Sequence, residues 1–207
     1  MSLFPAVLHT MLITDGVGDP SRIGTIVRAV VAGGVRAVQL REPKLSAQQL
    51  VELCVGLRPI LAHEGGVLIV NDRADVVAAG FADGVHLGHR SLTPESVRAF
   101  LPPGCLVGWS AHSADELRRG ASADYAILAP LFPTASKPGA SPLGLETARD
   151  LVSISSCPVV LLGGVVPTNV QSARETGAVG VAAMSAFCGA RDPRAAAEAL
   201  SGAGVRG

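Results

Sequence analysis

The residues of this chain that can do chemistry sit at the ends of short apolar runs. Gln39 and Arg41 close "VRAVQLR", with Lys44 just beyond, and Asn71 and Asp72 close "VLIVND". Ser110 ends "CLVGWS" and His112 follows it, while Thr134, Ser136 and Lys137 follow "DYAILAP". Gly163 and Gly164 end "PVVLLGG", and Met184 and Ser185 end "VGVAAMS". Two adjacent glycines let a backbone approach phosphate oxygens closely, and a serine that opens a helix adds N–H donors to the same anion. Lys44 and Lys137 are the chain's two lysines among 17 basic residues, and both fall in this set. A compact ammonium suits a phosphate or carboxylate met as a point charge. Gln39 and Arg41 have the same parity and share a strand face. His112 is a candidate proton carrier near neutral pH. The stretch "GVHLGHRSLT", residues 84–93, poses the sharpest question: metal site, acid/base pair, or a strand end that is neither.

These runs recur with helix-like segments between them. "SAQQLVELCVGLRPILA" has apolar residues at helical spacing behind Ser46 as N-cap. "TPESVRAFL" offers Thr93 as N-cap, Pro94 at the first helical position and Glu95 in the first turn. "SADELRRGA" and "VPTNVQSARETGA" follow the same pattern. Strand 1 is expected over "VLHTMLIT", so that His9 is an early strand residue, and His63 ends a helix; neither is given a role. About eight such units imply a parallel sheet. No GxGxxG follows the first run, which favours a single-domain (β/α)₈ TIM barrel over residues 1–207; a flavodoxin-like open sheet is the runner-up. In a barrel, the candidate residues that close or follow the apolar runs are at the C-terminal ends of strands, where active sites lie.

Composition excludes several classes. The net charge is zero, so no basic face for nucleic acid or a membrane surface is expected. Apolar residues make up 48% and aromatics 3%, giving a core of Ala, Val and Leu. The four cysteines, Cys54, Cys105, Cys157 and Cys188, are far apart and read as buried hydrophobes in a reducing, cytoplasmic compartment. The apolar start lacks a basic n-region and a small-residue cleavage site. Ala- and Leu-rich barrel helices often pair, so a homodimer is the expected assembly.

The motifs "LITDG", "VQLREPK", "VNDRADVVAAGFADGVHLG", "GWSAHS", "DYAILAPLFPTASK", "LGGVVPTNV" and "GVAAMSAF" together resemble the thiamine phosphate synthase superfamily over nearly the whole chain. That resemblance implies a (β/α)₈ barrel of thiamine biosynthesis with two branches. Synthases join a hydroxymethylpyrimidine diphosphate to a thiazole phosphate with Mg²⁺ and release pyrophosphate. Thiazole tautomerases (TenI-type) isomerise a carboxythiazole phosphate by histidine-mediated proton transfer. By resemblance, Gln39, Arg41, Asn71, Ser110 and Lys137 belong to a pyrimidine-diphosphate site. Thr134 to Ser136, Gly164, Met184 and Ser185 belong to a thiazole-phosphate site, Asp72 to a Mg²⁺ site, and His112 to proton transfer.

The family's synthases carry an acidic pair soon after the glycine at position 88. Here His89, Arg90 and Ser91 stand there, and serine is a poor Mg²⁺ ligand. "HxSLxPE" looks like the tautomerase version. The expectation is therefore an isomerase, a thiazole tautomerase acting without cofactor on a phosphorylated thiazole. His112 would carry the proton, Arg41 or Lys44 would hold the carboxylate, and Gly163, Gly164, Met184 and Ser185 would hold the phosphate. The alternative is a Mg²⁺-dependent synthase using Asp72; a non-catalytic phosphate-ligand sensor is the third reading. "FPTASK" favours the synthase. In "QLREPK", Pro43 displaces Lys44 by one residue from the family's REK.

Overall fold

A computed structural model describes residues 4–134, 139 and 141–202. Ser136 and Lys137 lie outside the described residues. Eight parallel strands close into a barrel in chain order. They are β1 (Thr10–Ile13), β2 (Ala37–Leu40), β3 (Val67–Asn71), β4 (Gly84–Leu87), β5 (Leu106–Ala111), β6 (Tyr125–Leu128), β7 (Val159–Leu162) and β8 (Gly180–Ala183), with β1 pairing both β2 and β8. The expected (β/α)₈ fold is what the chain adopts, and the open sheet is excluded by closure.

Alternate residues sort into two cores. Met11, Ile13, Ala37, Ile69, Tyr125, Ile127, Val160 and Ala182 pack inside the barrel. Leu12, Val38, Leu40, Leu68, Val70, Val85 and Leu87 face outward against the helices. Both faces of each strand are therefore buried, which is why the strands read as continuous apolar runs.

The helices are α1 (Pro20–Ala32), α2 (Ala47–His63), α3 (Ala74–Ala78), α4 (Pro94–Arg98), α5 (Ala114–Arg119), α6 (Gly144–Ile154), α7 (Val170–Arg174), α8 (Ser185–Cys188) and α9 (Pro193–Gly202). Their starts follow cap chemistry. Ser46 and Gln49 form a capping box on α2, and Thr93 accepts the Ser96 N–H with Pro94 at the first helical position of α4.

One expected boundary is wrong. "VLHTMLIT" is not strand throughout: Ala6–Leu8 is a 3₁₀ helix, His9 ends it, and β1 begins at Thr10. The reason is the barrel's base. Leu8 is fully buried and packs with the inner core, and a Cβ on Gly180 would lie 1.9 Å from the Leu8 carbonyl oxygen. The short helix caps the base of the barrel, and Gly180 makes room for it.

Candidate active site

The C-terminal strand ends surround a cavity of about 470 Å³. Gln39, Arg41, Asn71, Asp72, Ser110, His112, Thr134, Gly163, Gly164, Met184 and Ser185 all line it. Residues read from six separate stretches of sequence thus meet in one space because each lies at the end of a strand on the same side of the barrel. Ile13, Ile127, Leu162 and Ala182 supply an apolar floor.

Lys44 departs from the expectation and is not among the lining residues. Its loop folds the other way. Glu42 is buried and accepts the Gly16 and Gly18 N–H groups at 3.3 and 2.9 Å, which ties the β1–α1 loop to the β2–α2 loop. The stem of Lys44 then lies over Gly18, where an added Cβ would come within 2.9 Å of the Lys44 Cβ. Pro43 extends the loop enough to carry the lysine past the mouth.

On the β2–β3 side, Gln39 Nε2 donates to Asn71 Oδ1 at 3.1 Å. Gln39 is 2% exposed, and its Oε1 is a buried acceptor without a hydrogen-bond partner among the described residues. Such an oxygen is costly unless a ligand donor reaches it. Asp72 follows with φ of 63°, the left-handed region that Asn and Asp tolerate better than most residues, and its N–H donates to the His86 carbonyl at 2.9 Å. Asp72 is the only carboxylate among the described lining residues. Arg41 and Arg90 also line the cavity, and neither forms an ion pair among the described residues. The mouth is cationic and suits an anion.

The stretch "GVHLGHRSLT" divides at Gly88. His86, on β4, is buried inside the barrel, with Nε2 2.9 Å from Ser110 Oγ and Nδ1 3.2 Å from Tyr125 Oη. Burial pushes its pKa down to about 3. It is neutral at physiological pH. Beyond Gly88 the chain makes a turn in which Ser91 Oγ accepts the Gly88 N–H at 2.8 Å. His89, Arg90 and Ser91 reach the cavity from this turn. No group of three or more His, Cys, Asp or Glu side chains among the described residues is arranged as a metal cage.

His112 is oriented by Glu116. Glu116 Oε2 lies 2.8 Å from His112 Nδ1 and accepts the His112 backbone N–H at 2.6 Å. Burial raises the Glu116 pKa, but the hydrogen bonds from His112 outweigh it and the net direction is down. Ser113 Oγ accepts the Glu116 N–H at the start of α5, and the Glu116 carboxylate reaches back to His112.

Gly163 and Gly164 have φ of 106° and 65°. The β6–α6 loop runs against them: Leu131 N–H donates to Leu162 O at 2.8 Å and Phe132 N–H to Gly163 O at 3.0 Å. Asn169 Nδ2 donates to Gly164 O at 2.9 Å and its Oδ1 accepts Val166 N–H at 2.8 Å, which fixes the β7–α7 turn. After β8, the four-residue helix α8 opens at Ser185. Loops after strands 7 and 8 with a short extra helix are the usual phosphate locus of such barrels. Arg22 anchors that helix from behind, pairing both Asp15 oxygens at 3.0 and 2.8 Å and donating to Cys188 O at 2.7 Å. Sequence reading missed Arg22, whose contact with Cys188 joins distant parts of the chain, and also Glu116 and Asn169, although their partners His112 and Val166 lie four and three residues back.

The sequence profile described as thiamine monophosphate synthase matches residues 10–187. The chain is 39% identical over 193 residues to the thiamine-phosphate synthase of Methanoculleus marisnigri, covering 91% of this chain and 92% of that one. It is likewise 39% identical over 193 residues to the thiamine-phosphate synthase of Moorella thermoacetica, covering 92% of each. Among solved structures, thiamine phosphate pyrophosphorylase from Pyrococcus furiosus superposes with a TM-score of 0.84 at 32% identity, covering 95% of both chains. These relatives overturn the isomerase expectation. The tautomerase reading rested on one short stretch, His89 to Glu95, which begins in a turn at the rim; the matches to synthases, which are transferases, extend over nine-tenths of the chain.

Proposed function

Because the chain belongs to the thiamine monophosphate synthase family, we propose that it is a transferase that joins a hydroxymethylpyrimidine diphosphate to a thiazole phosphate and releases pyrophosphate. The observation that carries this reading is that both half-sites expected from the resemblance line one cavity. Gln39, Arg41, Asn71 and Ser110 stand on one side and Thr134, Gly164, Met184 and Ser185 on the other.

The reaction breaks the bond between the pyrimidine methylene and the diphosphate oxygen, then forms a bond from that methylene to the thiazole nitrogen. The leaving group carries the developing negative charge. Arg41 and Arg90, guanidiniums at the cavity wall without ion-pair partners among the described residues, neutralise it. Gln39 lines the wall beside the heterocycle, and the thiazole phosphate rests against Gly163, Gly164 and Ser185. The apolar floor keeps water from the electron-poor methylene. His112, held by Glu116, steadies the ring without a required proton transfer.

Mg²⁺ keeps several waters and is commonly held by one or two carboxylates together with substrate phosphates. Asp72, a single carboxylate facing the cavity, fits that mode: it would hold an ion that arrives on the diphosphate, and the ion would add to the charge stabilisation of the leaving group. Ser91 is not needed as a ligand, since its Oγ already closes the turn at Gly88. Among the described residues no helix is long and apolar enough to cross a membrane, and a cytoplasmic location accords with small phosphorylated substrates.

The test is direct. The purified protein is incubated with both substrates and Mg²⁺, and thiamine phosphate and pyrophosphate are quantified. Stoichiometric appearance of both supports the transferase. No product above the enzyme-free rate defeats it.

A further inference from the structure

His86, Gly108 and Tyr125 are in register across β4, β5 and β6. All three point into the barrel. Gly108 has no side chain, and a Cβ there would lie 2.4 Å from Tyr125 Oη and 2.5 Å from His86 Nδ1. The missing side chain lets the two rings meet across β5, with centroids 5.6 Å apart. Two residues further along β5, on the same face and nearer the mouth, Ser110 Oγ meets His86 Nε2 at 2.9 Å. Ser110 is part-buried and lines the cavity.

The protons in this chain of contacts have one arrangement that satisfies every group. Tyr125 is 0% exposed, and among the described residues its hydroxyl has a single partner, His86 Nδ1 at 3.2 Å. A buried phenol must place its proton on an acceptor. If Nδ1 carried a hydrogen, the Tyr125 proton would have none. So Tyr125 donates to Nδ1, the imidazole proton is on Nε2, and Nε2–H donates to Ser110 Oγ. Ser110 then accepts inside the barrel, and its own hydrogen is left for the cavity. Burial supports this state, since it holds the imidazole neutral and raises the Tyr125 pKa far above its ordinary value.

We infer that Tyr125 and His86 are positioning residues that fix Ser110 as a hydrogen-bond donor toward a neutral acceptor nitrogen of the bound pyrimidine. The identity of the ligand rests on the transferase reading; the proton order does not. The acceptor is a ring nitrogen and not a phosphate oxygen, because the relay is neutral and Arg41 and Arg90, without ion-pair partners among the described residues, offer the anion its charge.

The experiment has two arms. In the first, ¹⁵N NMR of histidine-labelled protein reads the His86 tautomer in the ligand-free chain. The Nε2–H form is expected, and Tyr125→Phe should release the preference. An Nδ1–H form in the unmodified protein overturns the inference. In the second, calorimetry measures affinity for hydroxymethylpyrimidine and for inorganic pyrophosphate. Tyr125→Phe should weaken the heterocycle about five- to tenfold, the worth of one neutral hydrogen bond, and leave pyrophosphate within about twofold. His86→Gln, which keeps an acceptor and a donor, should bind the heterocycle better than His86→Leu. Equal affinities for these two variants, or an equal loss for both ligands in Tyr125→Phe, overturn the role. If the unmodified protein bound no heterocycle while its tautomer were Nε2–H, the transferase reading would fall and the proton order would stand.

Discussion

The His112 imidazole and the Glu116 carboxylate form one unit, with a single oxygen, Oε2, serving both the ring Nδ1 at 2.8 Å and the backbone N–H at 2.6 Å. The contact holds the ring at the cavity wall. In a transfer driven by leaving-group stabilisation, this orientation is secondary. His112→Ala is expected to lower kcat by less than about tenfold, well below the ~10²–10⁴ of a group that moves a proton in the transition state. Arg41→Ala should cost more. Steady-state kinetics of the two variants decides; a loss of a hundredfold or more at His112 would show that the imidazole moves a proton in the slow step.

The cationic wall gives a second expectation, read without turnover. Arg90 and Arg41 face the cavity without ion-pair partners among the described residues, and Asp72 is the lone carboxylate there. Without Mg²⁺, Arg90→Ala should weaken pyrophosphate binding about tenfold, the scale of a charge-assisted hydrogen bond. Asp72→Asn should strengthen it, because a like charge is removed. With Mg²⁺ the sign at Asp72 should reverse. Calorimetric titration at fixed ionic strength tests both, and an Asp72→Asn effect of the same sign in the two conditions would remove Asp72 from metal binding.

Asp15 and Arg22 predict how the site responds to acid. The paired hydrogen bonds from Arg22 hold the Asp15 carboxyl below its ordinary value of 3.8 despite partial burial. A carboxyl depressed in the folded state stabilises it above the unfolded pKa, and that stability is lost as pH falls through the folded value. Side-chain exposures of 33% and 20% leave the pair open to screening, so its contribution is about 1 kcal/mol. Asp15→Asn should lower the Tm at pH 7, and the gap to the unmodified protein should close as the pH falls below 3.8. Since Arg22 also holds Cys188 O at the end of α8, the same variant should raise KM for the thiazole phosphate more than for the pyrimidine.

How far these features could be read in advance depended on whether their signal was local. Eight apolar runs, the caps at Ser46 and Thr93, and the strand-end positions of Gln39, Asn71 and Ser110 follow from periodicity and backbone chemistry, and the structure puts them where expected except at the start of the first run, which is a 3₁₀ helix. Lys44 also ends a strand-like run, yet its direction depends on the buried Glu42 bridging to Gly16 and Gly18, a contact 24 and 26 residues away in sequence. His86 and Ser110 are 24 residues apart, and only the β4–β5 register makes them neighbours. The choice between branches failed for a related reason. One short stretch, His89 to Glu95, was given more weight than the likeness to synthases carried by nearly the whole chain.

Gly164 gives the last expectation. Its φ is +65°, and a Cβ there would lie 2.6 Å from Pro133 O and 2.7 Å from Phe132 Cβ. Alanine therefore brings two separate costs. The left-handed backbone costs roughly 1–2 kcal/mol for any side chain. The clash with the β6–α6 loop must be relieved by moving Pro133 or Gly164 itself, and either shift displaces backbone that borders the phosphate locus. Gly104 separates the two terms: its φ is +85°, and an added Cβ would meet nothing within 4 Å. Gly104→Ala should lower Tm by a few degrees and leave kinetics unchanged. Gly164→Ala should lower Tm further and raise KM for the thiazole phosphate at least about tenfold, with the pyrimidine KM little changed. Thermal melts and two-substrate kinetics on this pair of variants test the assignment. A Gly164→Ala enzyme with the Gly104→Ala kinetic pattern would show that the thiazole phosphate does not rest on the β7–α7 turn.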